Sequence, residues 1–141
     1  MWNYLWPILI VVGANTFYNI STKSTPQGID PFASLTITYL VAAALSLLMF
    51  FVTGEQKNLL TEFSKANWTS FLLGISVVAL EFGYISIYRA GWKVSTASLV
   101  ANISLACVLL FVGILLYKEA LSFKQLAGMA ICVFGLILMS R

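Results

Sequence analysis

The chain has 141 residues, of which 60% are hydrophobic and 9% are charged, with no histidine and a net charge of +3. Soluble domains carry about 25% charged residues, so this chain has too little polar surface for a water-soluble globule. Its Lys and Arg residues stand singly, which argues against a nucleic-acid interface. Without histidine, and with both cysteines in apolar runs, we expect no metal site and no cofactor. The composition indicates an all-α membrane protein.

Five apolar segments are long enough to cross the hydrocarbon core of a bilayer, which takes about 20 residues. The N-terminal segment lacks the basic residues of a secretory signal, so we interpret it as a retained membrane span. Asp30 and Asn67 are predicted N-caps of the second and third segments, and Ser122 and Gln125 have capping-box spacing before the fifth. In chain order, the predicted helices are about 2–21, 31–52, 68–88, 95–117 and 123–140.

The connections between the predicted helices contain the polar residues expected of loops. The longest, residues 54–67, is predicted to contain a short interfacial helix, with Leu59, Leu60 and Phe63 facing lipid. All four tryptophans fall near predicted span ends, as interfacial aromatic residues do. Glu119 lies at a span end, and we interpret it as an interfacial or capping charge.

The basic residues show no preference for one side of the predicted membrane arrangement. Five spans place the termini on opposite sides, and orientation is normally set by an excess of Lys and Arg in cytoplasmic loops. Either a few residues decide one orientation, or copies insert both ways up and pair as an antiparallel homodimer. We favour dual topology, because the expected excess is missing. The N-terminal side holds Lys57, Lys65, Lys118 and Lys124, and the other side holds Lys23, Arg89, Lys93 and Arg141.

The second half of the chain, from the "YRAGWK" loop onward, has a recognisable order of features. A short loop leads to a Ser/Ala-rich helix start, the apolar helix ends in Lys-Glu, and the last helix contains glycine. The residues are Ser95, Ala97, Ser98, Lys118, Glu119, Gln125, Gly128 and Gly135, with Asn15, Lys23 and the "IDPF" run as looser matches in the first half. This pattern resembles an EamA domain of the drug/metabolite transporter superfamily.

The resemblance covers nearly the whole chain and implies both a fold and an activity. Most members carry two five-span domains in inverted orientation, whereas residues 1–141 supply a single EamA-type domain. The resemblance therefore implies that a second copy completes ten helices, and that the protein is a multi-pass secondary transporter of the cell (inner) membrane. Thr38 stands where many members have an arginine, so no substrate role of that arginine transfers to this chain.

Glu81 lies inside the third predicted span, where an ionised acid costs about 2.5–3.5 kcal/mol. That cost falls if the carboxyl group faces protein or a wet cavity, or binds a proton. We predict that Glu81 binds a proton or the substrate in a midplane cavity, beside Tyr84 and Tyr88, whose rings could bind a cation. Two alternatives stay open: Glu81 is a structural acid bonded to Asn or Tyr groups, and the tyrosines only pack.

Polar residues also recur at a spacing of four on two other predicted helices. Asn15 and Asn19 lie on the first, and Ser98 and Asn102 lie on the fourth. A spacing of four places both members of a pair on one helix face. These residues are predicted to line the same cavity as Glu81, with hydrogen bonding between helices as the equal alternative.

The leading functional hypothesis is a proton-coupled exporter that works as a dual-topology homodimer. Its predicted substrate is a small molecule: an organic cation, an amine or an amino-acid-like metabolite. The chain has no nucleophile with a base and no phosphate-binding loop, so an enzyme is not expected. The alternatives are half of a heterodimeric transporter, a non-transporting subunit of a larger membrane assembly, a facilitator without proton coupling, and a lipid-carrier flippase.

Overall fold

The computed structural model describes residues 2–53, 58–118, 120 and 122–139, and these residues form helices and no strand. The all-α prediction is therefore confirmed for this part of the chain. Glu119 lies outside the described residues, so its role as an interfacial or capping charge stays a prediction. The helices are α1 Trp2–Ser24, α2 Pro31–Thr53, α3 Leu59–Phe63, α4 Trp68–Arg89, α5 Val94–Tyr117 and α6 Phe123–Met139.

The two predicted N-caps open their helices as expected. Asp30 Oδ1 accepts hydrogen bonds from the backbone N–H groups of Phe32 and Ala33, at 2.9 and 3.0 Å. Asn67 Oδ1 accepts from the backbone N–H of Thr69 at 3.0 Å. These bonds satisfy backbone donors that have no partner in the first turn of a helix. The starts of α2 and α4 are thus set by local sequence.

The ends of the α5–α6 connection are also defined by local contacts. The Ser122 backbone N–H donates to Gln125 Oε1 at 2.8 Å, and the Gln125 N–H donates to Ser122 Oγ at 3.2 Å, which is the predicted capping box. Lys118 ends α5 in the left-handed region, at φ 52°, and its N–H bonds to the carbonyl of Gly113. Glycine is the usual residue in that conformation, so Lys118 is strained there.

The first helix is longer than predicted. It continues to Ser24, three residues past Ser21, where the prediction ended it. The polar run after Ile20 has the composition of a loop, but Pro26 is the first residue that cannot continue a helix. The Thr25 N–H still bonds to the Thr22 carbonyl at 3.3 Å, which closes the last turn. This extension brings Lys23 onto the helix.

The chain forms two compact units. One comprises Met1–Ile20 and Gly91–Arg141, and within it α5 packs against α6. The other comprises Ser21–Ala90, and within it α2 packs against α4. In this second unit the rings of Phe32 and Phe82 stack with centroids 5.0 Å apart and planes 6° apart, which joins the first turn of α2 to α4.

Most large apolar side chains of the described residues are exposed. The buried apolar residues are Leu35, Ile85, Tyr88 and Ala97. A water-soluble protein does not leave so much apolar surface uncovered, because each exposed square ångström costs about 25 cal/mol. The surface is therefore one that lipid or a second chain covers.

Three of the described helices, α2, α4 and α5, are long and apolar enough to cross a membrane. The helix α6 is apolar but shorter, since 17 residues at 1.5 Å each extend only about 26 Å. The helix α1 has the length of a span, but it carries Asn15, Asn19 and Lys23. The helices α2, α4 and α5 thus fit the prediction of membrane spans by length and composition. That α1 and α6 also cross the membrane, which makes five spans, stays a prediction. The predicted helix in the longest loop is present as α3, with Leu60 and Phe63 exposed.

Candidate functional site

A cleft of about 500 Å³ lies between α1 and α5. It belongs to the unit that comprises Met1–Ile20, which contains most of α1, and Gly91–Arg141, which contains α5. Its walls combine amide and hydroxyl groups with aliphatic side chains. We call it the polar cleft. Its polar residues are Asn15, Thr16, Asn19, Ser95, Ser98 and Asn102. The structure therefore brings together the two polar stripes that the sequence placed on separate helices.

The amides of the polar cleft are held by hydrogen bonds within their own helices. Asn19 Nδ2 donates to both the backbone and side-chain oxygens of Asn15, each at 2.8 Å. Asn102 Nδ2 donates to the Ser98 carbonyl at 2.8 Å and to Ser98 Oγ at 3.2 Å. The Asn15 amide nitrogen and the Asn102 amide oxygen make no such bond with the described residues. The cleft thus offers one amide donor and one amide acceptor in fixed positions.

No charged side chain lines the described walls of the polar cleft. Thr16 is not available as a donor, because its hydroxyl bonds to the Val12 carbonyl at 2.8 Å. Ser95 and Ser98 provide hydroxyl groups beside the aliphatic residues Val94 and Leu99. Sites for small molecules commonly combine apolar walls with a few placed polar groups, at volumes of about 300–1,000 Å³. The cleft is suited to an uncharged, hydrogen-bonding part of a ligand.

Glu81 is half-buried on α4, in the other unit. It forms no hydrogen bond and no ion pair with any residue that the structure describes. The structural alternative requires such a bond to an Asn or Tyr group, and the described part of one chain provides none. Glu81 is therefore a carboxyl group on a membrane-length helix for which the described residues provide no hydrogen-bond or ion-pair partner.

Tyr39, on α2, is a polar residue close to Glu81. It lies within electrostatic range of the Glu81 carboxylate. Its hydroxyl oxygen is buried and makes no hydrogen bond with the described residues. Sequence analysis missed Tyr39, because only the packing of α2 on α4 reveals that the two residues are close. The signal in the sequence was a tyrosine near the middle of a mostly apolar helix.

Tyr84 and Tyr88 lie near each other on α4, with ring centroids 6.1 Å apart. Tyr88 is only 4% exposed. Lys23 Nζ lies 5.7 Å from the centre of the Tyr88 ring and donates to the Tyr88 carbonyl at 3.3 Å. The Tyr88 ring thus already has a cation from the chain itself over it.

The predicted site residues therefore fall into two groups, one in each unit. Asn15, Asn19, Ser98 and Asn102 line the polar cleft. Glu81, Tyr84 and Tyr88 lie on α4 in the Ser21–Ala90 unit. That all seven serve one cavity stays a prediction. Thr16 and Ser95 were missed as cleft residues, although a spacing of three from Ser98 already places Ser95 on the same helix face.

Comparison with known protein families matches residues 2–141 to the EamA-like transporter family. The chain belongs to this family. The predicted EamA resemblance is therefore confirmed over almost the whole chain. Comparisons with curated proteins and with solved structures gave no match.

Membership in the EamA-like transporter family indicates the broad functional class of this chain. EamA proteins are membrane-embedded transporters, and α2, α4 and α5 have the length and composition of membrane spans. The chain is thus a membrane protein of a transporter family, which supports the expectation that it is not an enzyme.

Proposed function

We propose that this chain is a secondary transporter of the cell (inner) membrane whose polar cleft binds part of a small-molecule substrate. The observation that supports it best is a cleft of about 500 Å³ with amide and hydroxyl groups, in a chain of a transporter family. Polar side chains in a membrane helix are costly unless they face a cavity or one another. A cleft that holds them ready for a ligand accounts for that cost.

The substrate proposed here has an uncharged hydrogen-bonding part and an apolar part. The amides and hydroxyls of the cleft can bond to carbonyl, amide or hydroxyl groups, and its aliphatic walls accommodate hydrocarbon. An amine, an organic cation or an amino-acid-like metabolite meets this description if its charge is bound elsewhere. Glu81 is the group we assign to that charge or to a proton.

Glu81 is proposed to couple transport to proton movement. A carboxyl group with no hydrogen-bond or ion-pair partner among the described residues can take up a proton when the substrate leaves and lose it when the substrate binds. The two occupants then compete for one group, which links their movements in opposite directions. The absence of a hydrogen bond or ion pair to Glu81 among the described residues supports this role.

The working unit is proposed to be an antiparallel homodimer. One EamA domain is half of the ten-helix assembly that the resemblance implies, and the exposed apolar side chains provide surface for a second copy. Equal numbers of basic residues on the two predicted sides permit insertion in both orientations. Two oppositely oriented domains then alternate access by rocking against each other.

Transport in proteoliposomes tests the role of Glu81. The purified chain is reconstituted with ethidium or labelled amino acids inside, and efflux is followed with and without an acidic exterior. We expect the pH gradient to accelerate efflux in the natural protein, and Glu81→Gln to remove that acceleration. Glu62→Gln is the matched control, because Glu62 of α3 already has a partner in Lys65, at 2.6 Å. Equal acceleration in Glu81→Gln would exclude the carboxyl group from coupling.

A further inference from the structure

A second, smaller cavity lies in the Ser21–Ala90 unit, where the last turn of α1 faces the last turn of α4. Its volume is about 70 Å³. That exceeds the roughly 10–15 Å³ that one water molecule needs, and is well below the volume of a site for a drug-sized ligand. We call it the basic pocket. It is lined by Thr22, Lys23, Thr25, Gln27, Ile85, Tyr88 and Arg89.

Arg89 is positioned in the basic pocket by the α1–α2 loop. Its Nη2 donates to the Ile29 carbonyl at 2.6 Å and to the Pro26 carbonyl at 3.3 Å. A guanidinium group has five N–H donors, and the described residues accept only from Nη2. Nε is buried without an acceptor. Arg89 forms no ion pair with the residues that the structure describes.

Lys23 brings a second positive charge to the same pocket. Its contacts with the Tyr88 carbonyl and ring hold the ammonium group at the end of α4. A single cation there would balance the partial negative charge at a helix C-terminus, which is about half an elementary charge. The two helix ends at the pocket, those of α1 and α4, together supply only about one negative charge against the two positive ones. No Asp or Glu lines the described walls of the basic pocket.

The other polar side chains of the pocket are suited to an oxygen-rich ligand. The Gln27 amide makes no hydrogen bond with the described residues, so its two N–H groups can donate. The Thr25 hydroxyl is not available as a donor to a ligand, because it donates to the Ser21 carbonyl at 3.2 Å. The basic pocket thus contains a guanidinium, an ammonium and an amide group, and no carboxylate lines its described walls. Phosphate oxygens match such a set.

We propose that the basic pocket binds a phosphate group, either free or in the headgroup of an anionic lipid. The position favours this class, because Arg89 is the last residue of a membrane-length helix and headgroup phosphates lie where such helices end. The site is separate from the polar cleft and from Glu81, and it does not depend on transport. It gives the loop between α1 and α2 a ligand-dependent anchor.

Thermal stability of the purified full chain in detergent tests this site. Melting temperatures are compared in sodium phosphate and in sodium chloride at equal ionic strength, and with added phosphatidylglycerol or phosphatidylcholine. We expect stabilisation by inorganic phosphate, by phosphatidylglycerol or by both. Stabilisation by inorganic phosphate identifies a free anion as sufficient, whereas stabilisation by phosphatidylglycerol alone identifies the lipid headgroup.

Gln27→Glu is the decisive variant. It places a carboxylate in the basic pocket, where it pairs with Lys23 or Arg89 and repels phosphate, so stability without ligand is kept while the apparent affinity falls on the order of tenfold or more. Lys23→Gln should weaken binding by a similar factor, and Lys124→Gln on α6 should not. An equal response in Gln27→Glu and the natural protein, or equal stabilisation by both lipids without a phosphate effect, overturns the proposal.

Discussion

Asn19 is bonded to Asn15 one helical turn before it, and its side-chain nitrogen donates to both oxygens of that residue at 2.8 Å. Asn102 repeats the arrangement with Ser98 on α5. Each of these bonds lies within one helix. They hold the two amide groups in place along the walls of the polar cleft. That the residues line a binding cavity, and do not only join helices, stays a prediction.

Removing a hydroxyl from the polar cleft should weaken ligand binding without unfolding the chain. Ser98→Ala removes one hydroxyl and leaves the Ser98 carbonyl as an acceptor for Asn102. We expect affinity to fall about threefold to tenfold, since a hydrogen bond contributes roughly 0.5–1.5 kcal/mol. Ligand-induced shifts in melting temperature, from a screen of amines and amino acids, measure this.

Ser46→Ala is the matched control for Ser98→Ala. Ser46 is likewise a serine inside a helix, with a hydroxyl that donates to the Ala42 carbonyl one turn back, but it lies on α2 and not in the cleft. The affinity of the Ser46→Ala variant for the ligand should equal that of the natural protein. An equal loss in both variants would mean that the polar cleft is not the ligand site.

Tyr39→Phe should slow transport without lowering the stability of the chain. The Tyr39 hydroxyl is buried without a hydrogen bond to the described residues, so its removal should leave the free energy of unfolding unchanged or raise it by up to about 1–3 kcal/mol. If that hydroxyl bonds to the Glu81 carboxylate during the cycle, pH-driven efflux should slow. Tyr117→Phe, at the exposed end of α5, is the control. Unchanged efflux in Tyr39→Phe would assign Tyr39 to packing alone.

Lys118→Gly should stabilise the chain. Lys118 holds the left-handed conformation at the end of α5, which costs a residue with a side chain roughly 1 kcal/mol and costs glycine almost nothing. We expect the free energy of unfolding to rise by about 0.5–1 kcal/mol. Lys124→Gly, at the second residue of α6, should not raise it, because the backbone there is right-handed helix and glycine relieves no strain. Equal effects of the two substitutions would contradict the cap assignment.

Orientation in the membrane should respond to one added charge. With basic residues evenly divided, both orientations should occur, and Gly28→Lys should favour copies with the α1–α2 loop in the cytoplasm. Gly28 accepts a side chain, since a Cβ there meets no atom within 4 Å and its φ is not positive. Gly28→Gln is the uncharged control. Labelling of a C-terminal tag on intact cells measures the two populations; a single population in the natural chain would exclude dual topology.

Local sequence accounts for where helices start. The Asp30 and Asn67 caps and the Ser122–Gln125 capping box were all predicted from residues within four positions of each other, and all three form. Such bonds need only neighbours along the chain, so no knowledge of packing is required. The end of α1 was predicted too early, because a polar run does not end a helix unless a residue such as Pro26 forbids it.

The sequence by itself determined that this chain is helical and suited to a membrane, since composition and apolar length need no partner to be read. It also placed Glu81 inside a span and the Asn and Ser stripes on single helix faces. Only the tertiary structure decided that α1 and α5 bring those stripes together, that Tyr39 lies near Glu81, and that Arg89 reaches the carbonyls of a loop 60 residues earlier. Contacts between distant segments depend on how side chains pack in three dimensions. Patterns among neighbouring residues therefore do not predict them.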